Sequence, residues 1–335
     1  MYDDLREAVV VTKLLADPSK CRRGSKEMGR VNVILVTIGS LYSSLITNYF
    51  HEHFPMSLLI VDEASQVTLG TFPHLLNRHK DTLARIVFFG DDKQLAPHNA
   101  ESLPSSAKSI FEMKHLSQGE NFYFLDICYR LPLSLAKFIS QEVYGGKLKS
   151  SKEAAIPYLR FIDVRSGKEE KFGSSWRNHR EADFVTKLVK KFYKEKKFSI
   201  LTPYDAQRSL IEEKLRKENL PSLDAVFNID TFQGRESPII LISLVRTGER
   251  IGFLNNQRRA NVCLTRTKDQ MIVVTSKSFL FPKRDVGANG IRESLFSKLA
   301  MQGGPSVWLS DMEVSNLPDS DKGGFIPLVP MKSIP

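Results

Sequence analysis

Leu58-Leu59-Ile60-Val61-Asp62-Glu63-Ala64-Ser65-Gln66 is an apolar run that ends in two carboxylates. Read as a parallel strand, it sets both acids at the carboxyl edge of a sheet, where open α/β folds place their ligands. One acid there can hold Mg²⁺, usually through water, and the other can orient and deprotonate an attacking water. A strand end followed by a helix whose first turn favours acids accounts for the same string without chemistry. The next strand narrows the choice. Ile86-Val87-Phe88-Phe89-Gly90 leads into Asp91-Asp92-Lys93-Gln94-Leu95-Ala96-Pro97, a polar loop whose Gln94 can reach a γ-phosphate by hydrogen bonding. A plain turn is the alternative for Gly-Asp-Asp-Lys.

Outward from these two strands, short β-branched and aromatic runs alternate with helical patterns. That alternation argues for an α/β chain of parallel sheets with helices on both faces. Candidate strands are Val31 to Thr37, Leu58 to Asp62, Arg85 to Gly90, Leu159 to Asp163, Phe198 to Thr202, Ala225 to Asp230, Ile239 to Leu244 and Met271 to Thr275. Val185, Leu188, Val189 and Phe192 recur at helical spacing, and Asp205 is the expected N-cap of a helix carrying Leu210, Ile211 and Leu215. Residues 168–197 hold ten basic and five acidic residues. The helical lysines Lys187, Lys190, Lys191 and Lys194 read as a solvated face, with phosphate contact as the alternative. A boundary is expected near Gln118 to Asn121. From about Asp285 the chain is rich in Gly, Pro, Ser and Asp, and a loosely ordered tail is expected over 286–335.

Composition bounds the reading. At roughly 150 residues per domain, 335 residues make about two domains. A hydrophobic share of 41% excludes disorder of the whole chain. The longest apolar runs are far shorter than the ~18 residues of a membrane span, so a soluble chain is expected. The start, MYDDLREAVV, is acidic where a secretory signal is basic, so nothing points to export. Cys21, Cys128 and Cys263 lie far apart, which excludes a disulfide framework and a cysteine zinc cluster and fits a reducing compartment. The net charge of +10 favours polyanionic partners.

The acidic strand end and the Gln94 loop together resemble motifs II and III of superfamily 1 helicases, and the rest of the chain continues the series in order. Leu125-Asp126-Ile127-Cys128-Tyr129-Arg130-Leu131-Pro132 is similar to motif IV, and Ile200-Leu201-Thr202-Pro203-Tyr204-Asp205-Ala206-Gln207 to the nucleic-acid-facing motif that follows. Ile229-Asp230-Thr231-Phe232-Gln233-Gly234-Arg235-Glu236 is similar to motif V. Gly252-Phe253-Leu254, then Arg258-Arg259-Ala260-Asn261-Val262-Cys263-Leu264-Thr265-Arg266, is similar to motif VI. The resemblance runs over about residues 31 to 280 and is closest to the RNA helicases of nonsense-mediated decay and the senataxin group.

The resemblance implies two RecA-like parallel-sheet domains, the first incomplete: a partial domain over 1–118 and a second over 119–285. It implies ATP and Mg²⁺ as cofactors and single-stranded RNA or DNA as partner, RNA favoured, in the cytoplasm or nucleus. Asp62 would be the Mg²⁺ partner, Glu63 the catalytic carboxylate and Gln94 the γ-phosphate sensor. Arg130 and Arg266 would be arginine fingers, each contributing on the order of 10³ to 10⁵ in rate because they meet charge that develops in the transition state. Tyr129, Gln233, Gly234 and Glu236 would line the nucleotide. Thr37, Thr202, Tyr204 and Thr231 would face the nucleic-acid backbone; for each threonine, an ordinary strand residue is the plainer reading. Contacts of that kind position a strand without reading its sequence.

One part of the pattern is missing. A superfamily 1 helicase carries a GxxxxGK[ST] loop whose amides cradle the phosphates, whose Lys meets the β and γ oxygens and whose hydroxyl holds Mg²⁺. Gly24-Ser25-Lys26 has no glycine five residues earlier, and Gly145-Gly146-Lys147-Leu148 lacks both the spacing and the hydroxyl. Cys128 stands where the family has Gln, and Pro132-Leu133 where it has His-Pro. The expectation is therefore the C-terminal part of an ATP-dependent helicase that lacks ATPase by itself, with the second domain as the stable one. The alternative is a non-hydrolysing nucleic-acid or partner-binding module on a degenerate helicase fold.

Overall fold

The computed structural model describes residues 9–11, 33–42, 55–97, 108–113, 120–153, 158–248, 252, 256–282 and 291–317. Gly24-Ser25-Lys26, Gln118, Phe253-Leu254 and the last residues of the expected tail lie outside them. The chain divides into two compact units: 1–64 with 68–89, and 65–67 with 90–335.

In the first unit, β1 (Val9–Val11) pairs in parallel with β2 (Val33–Leu35). β3 (Leu58–Val61) is followed by α1 (Phe72–Arg78), after which β4 (Arg85–Phe88) pairs with β3 in parallel, Leu59 opposite Ile86. Pro73 at the start of α1 costs no hydrogen bond there, because the first helical N–H groups have no partner in the helix. The Phe72 ring meets Phe88 edge-on, centroids 5.2 Å apart. Burial alternates along β3: Leu59 and Val61 are covered, whereas Leu58 and Ile60 are 48% and 57% exposed. Among the described residues this parallel pair is thus covered on one face, not on the two expected.

The second unit begins with β5 (Ile127–Cys128), α2 (Leu133–Tyr144) and β6 (Lys149–Ser150), where β6 pairs with β5. β7 (Leu159–Asp163) precedes a hairpin of β8 (Glu170–Phe172) and β9 (Ser175–Arg177). Then come α3 (His179–Leu188), extended by a π turn over Val189–Tyr193, β10 (Phe198–Thr202), α4 (Asp205–Lys217) and β11 (Val226–Asn228). β12 (Ser237–Ser243), α5 (Gln257–Leu264), β13 (Thr267–Thr275) and α6 (Lys277–Leu280) follow. The unit closes with α7 (Leu295–Gly303), β14 (Trp308–Ser310) and α8 (Asp311–Asn316).

Six of these strands form one parallel sheet in the order β11-β10-β12-β13-β7-β14. Non-consecutive neighbours require crossover helices, and those helices cover both faces. The period of two along each strand sorts the side chains. Phe161, Leu201, Ile240, Ile242 and Val273 pack with α2, α5 and α7; Ile162, Ile200, Leu241, Ile272 and Val274 pack with α3 and α4. Each such side chain, fully buried, contributes about 1.5–3 kcal/mol relative to exposure.

Two expectations need correction. Residues 291–317 are not a loose tail: Phe296, Leu299 and Val307 are buried, and β14 pairs with β7 as a sheet edge. Three-residue strands and a nine-residue helix set among Gly, Pro and Ser leave little periodicity to read. Asp205 does not cap α4 but is its first helical residue, after the extended Tyr204. Its carboxylate instead accepts from Asn228 Nδ2 at 3.2 Å. Gly145-Gly146-Lys147, dismissed above as a phosphate loop, is the exit of α2: Gly145 takes φ +59°, and its N–H bonds back to Ser140.

Candidate nucleotide and nucleic-acid residues

In the first unit the carboxylates stand at the end of β3. The Glu63 N–H donates to Asp62 Oδ1 at 2.9 Å, and Glu63 has φ +50°, a left-handed conformation rare outside glycine. The Phe89 N–H donates to the Val61 carbonyl, and the Ala64 N–H to the Phe89 carbonyl, both at 2.8 Å, so the ends of β3 and β4 are laced together around these acids. Asp62 is exposed and Glu63 half-buried. Thr37 closes a short turn through the Ser40 hydroxyl at 2.8 Å and remains exposed.

In the second unit the Gln94 loop is held by α2, by α5 and by the residues that follow α5. Gln94 Nε2 donates to Asp91 Oδ2 at 2.7 Å, and the Tyr144 hydroxyl, from the last residue of α2, donates to the same oxygen at 2.5 Å. Asn261 Nδ2, on α5, donates to the Tyr144 hydroxyl at 3.1 Å and to the Lys93 carbonyl at 3.0 Å. Arg266 Nη2 donates to Gln94 Oε1 at 2.9 Å and to Thr265 Oγ1 at 3.0 Å, while its Nε donates to the Val262 carbonyl at 2.9 Å. Burial, and then the Asp91 charge, pushes the Tyr144 hydroxyl above the ordinary phenol range, so it stays a donor at any physiological pH. Gln94 and Arg266, read from distant motifs, therefore share one partly buried network. Tyr144 was missed: a tyrosine before Gly-Gly carries no local signal, and only the fold brings α2 to the loop.

A second cluster joins motifs IV and V. Arg130 Nη1 lies 3.5 Å from Glu236 Oε2, and Glu236 also pairs with Lys268. Lys268, then desolvation working the other way, sets the Glu236 balance, and the net holds its carboxyl below the usual range. Asp230 accepts from Arg259 Nε at 3.3 Å, a motif V to motif VI pair that spacing alone could not show. Gly234 turns at φ +76°. Gln233 is half-buried, and Tyr129 stays 72% exposed. Among the expected strand-facing residues, Thr231 is exposed and donates to the Asn228 carbonyl at 2.9 Å. Thr202 departs from expectation: it is fully buried at the end of β10, so its hydroxyl faces the interior, and Tyr204 is buried too. Tyr204 and Arg246 press on Gly252, where a Cβ would meet Tyr204 Oη at 2.5 Å and Arg246 Nη1 at 2.6 Å.

The donor set bears on the cofactors. Asp62 fits as one water-mediated ligand of a hydrated Mg²⁺, the ion that prefers few protein ligands. Among the described residues no group of three or more His, Cys, Asp or Glu is placed to hold a metal. No helix among them is long and apolar enough to cross a membrane.

A parallel sheet wrapped by crossover helices, with the motif series at its strand ends, is a RecA-like helicase domain. A family signature described as an AAA domain matches residues 106–278, just over half the chain. The ATP-dependent helicase upf1 of Schizosaccharomyces pombe is 30% identical over 251 residues, covering 66% of this chain and 27% of that protein. Helicase SEN1 of Saccharomyces cerevisiae is 32% identical over 253 residues, covering 64% of this chain and 11% of that protein. Among solved structures, an arterivirus nonstructural protein 10 helicase in complex with DNA overlaps 71% of this chain and 42% of its own, at 16% identity and a TM-score of 0.38. The chain belongs to the superfamily 1 helicases of the Upf1 and senataxin kind. It spans between about a tenth and two fifths of the length of the curated relatives it matches.

Proposed function

We propose that this chain carries the arginine-bearing part of an ATP-driven motor that moves along single-stranded nucleic acid, RNA in preference to DNA, inside the cell. The observation that supports it most is the hydrogen bond between Gln94 and Arg266. A sensor for the γ-phosphate and an arginine able to stabilise the transferring phosphoryl are wired to each other, as coupling of nucleotide state to domain motion requires. Glu63 would orient the attacking water, Arg130 would be a second finger, and Tyr129, Gln233, Gly234 and Glu236 would line the nucleotide. Bound Mg²⁺, held in part by Asp62, would neutralise phosphate charge. Thr231 and Thr37, both exposed, are the backbone contacts we retain; Thr202 and Tyr204 support that surface from inside. In sequence, 1–118 would be the partial first RecA-like domain, although the 91–97 loop is bonded into the second unit, and residues 291–317 would join the second domain.

The 335 residues contain no GxxxxGK[ST], so we expect no ATP turnover from the chain by itself. With a relative's GxxxxGK[ST] segment fused ahead of residue 1, turnover should appear. Glu63→Gln should then abolish it while nucleotide binding survives, and Arg266→Ala should cost roughly 10³-fold or more. Turnover retained in either variant refutes the assigned roles. Pro132-Leu133, standing just after Arg130 where the family has His-Pro, favours a second reading, a non-hydrolysing binding module. Single-strand affinity that falls with salt yet ignores ATP and Mg²⁺, with no turnover in the fused chain, would select it.

A further inference from the structure

The basic stretch that starts at Lys168 opens with the β8–β9 hairpin, which none of the roles above uses. Its strands pair Glu170 with Arg177, Lys171 with Trp176 and Phe172 with Ser175, closed by a Gly173-Ser174 loop with φ +60° at the glycine. The hairpin leaves the sheet at the carboxyl end of β7, the edge that also carries the loops of Thr231 and Tyr204. It is anchored there. The Ala206 N–H at the start of α4 donates to Ser175 Oγ at 3.2 Å, and the Arg246 guanidinium lies 4.2 Å from the centre of the Trp176 ring. Arg246 is fixed in turn by Glu169, with Nε to Oε2 at 2.8 Å and Nη2 to Oε1 at 3.2 Å.

Phe172 sits at the tip. The Arg177 guanidinium lies 4.2 Å from its ring centre and is forked onto Glu170, Nε to Oε2 at 3.1 Å and Nη2 to Oε1 at 2.9 Å. A planar cation thus backs one face of the ring, yet Phe172 remains 55% exposed. An apolar ring backed by a clamped arginine, on a hairpin that carries exposed Lys171 on its other face and is flanked in sequence by exposed Lys168 and Arg180, matches a base with its attached phosphates better than it matches water.

We propose that the β8–β9 hairpin is a base-stacking platform for single-stranded nucleic acid: Phe172 receives one base on its open face, Arg177 and Glu170 hold the ring in place, and Lys171 meets a neighbouring phosphate. This rests on the single-strand reading above and extends the strand's path beyond Thr231.

The test is fluorescence anisotropy of the full 335-residue chain with a labelled twelve-nucleotide oligouridine at low salt, beside an abasic strand of equal length. Phe172→Ala should weaken binding to oligouridine roughly five- to 150-fold, Phe172→Trp should restore it, and the loss should vanish on the abasic strand. Lys171→Ala should lower the salt slope by about one phosphate's worth on both strands. Equal affinity of wild type and Phe172→Ala for oligouridine overturns the proposal. So does a deficit that persists on the abasic strand, which would assign the hairpin a structural role. A wild-type chain that binds neither strand overturns the single-strand reading itself, and the platform with it.

Discussion

β3 and β12 are read from the same kind of sequence, a short run of aliphatic residues before a polar loop, yet they end in different surroundings. β12 lies between β10 and β13, with Ile240 and Ile242 packed on one face and Leu241 on the other. β3 pairs with β4 alone among the described residues, with Leu59 and Val61 covered and Leu58 and Ile60 open. A two-stranded pair is marginal by itself, whereas a sheet with helices on both faces is not. Hydrophobic content is the same; what differs is how many neighbours share it. The second unit is accordingly expected to hold more of the stability, with the acids of the first at the end of a strand whose Leu58 and Ile60 are open.

The strongest way to break this comparison is to truncate matched side chains. Leu241→Ala should cost about 2–5 kcal/mol in urea unfolding, because it leaves a cavity in a sheet closed on both faces. Leu58→Ala should change stability by less than about 0.5 kcal/mol, as exposed substitutions do. Comparable losses would mean that β3 is buried in solution.

A second test concerns how a closed core treats charge. Glu181, in the first turn of α3, is fully buried and accepts from Ser243 Oγ at 2.7 Å and the Val245 N–H at 2.9 Å. Burial outweighs those bonds and pushes its carboxyl up from 4.5 to about 7. A raised folded-state value means that the folded chain binds the proton more tightly. This group's stabilisation is therefore complete below pH 4.5 and is lost as pH rises to about 7. Glu181→Gln should remove a slope worth about 3 kcal/mol across that window, read as the difference between the wild-type and variant stability curves. Parallel curves would show that the carboxyl ionises normally.

The smallest effect sharpens the comparison at the Gln94 loop. Tyr144→Phe removes the hydroxyl shared by Asp91 and Asn261 and should cost about 1–2 kcal/mol. Asn261→Ala made in the Tyr144→Phe background should add less than it does alone, because the two side chains act on one network. Strict additivity would mean that the loop is held by its own turn.

Much of this was legible before any coordinates. β7 and β10 begin and end where their apolar runs do, and the stripe Val185, Leu188, Val189 and Phe192 is the buried side of α3 and its π turn. These are local signals, since side-chain period and chain direction are enough to fix them. Residues 291–317 were not legible, because three-residue strands draw their stability from the sheet they join and carry little pattern of their own. Nor was the burial of Thr202, whose neighbours within the sequence do not say how deep a strand end lies.

The order of motifs, the alternation of strand and helix, and the chemical identity of Asp62, Glu63, Gln94, Arg130 and Arg266 belong to the sequence by itself, because residue type and spacing are properties of the chain. Only the tertiary structure decided that Arg266 bonds Gln94 through a network completed by Tyr144 and Asn261, that Arg130 turns to Glu236, and that Phe172 stands clamped and open at a hairpin tip. Those pairings join residues up to 172 positions apart. Their energy comes from desolvation and hydrogen-bond geometry, which exist only once the fold has brought distant loops together.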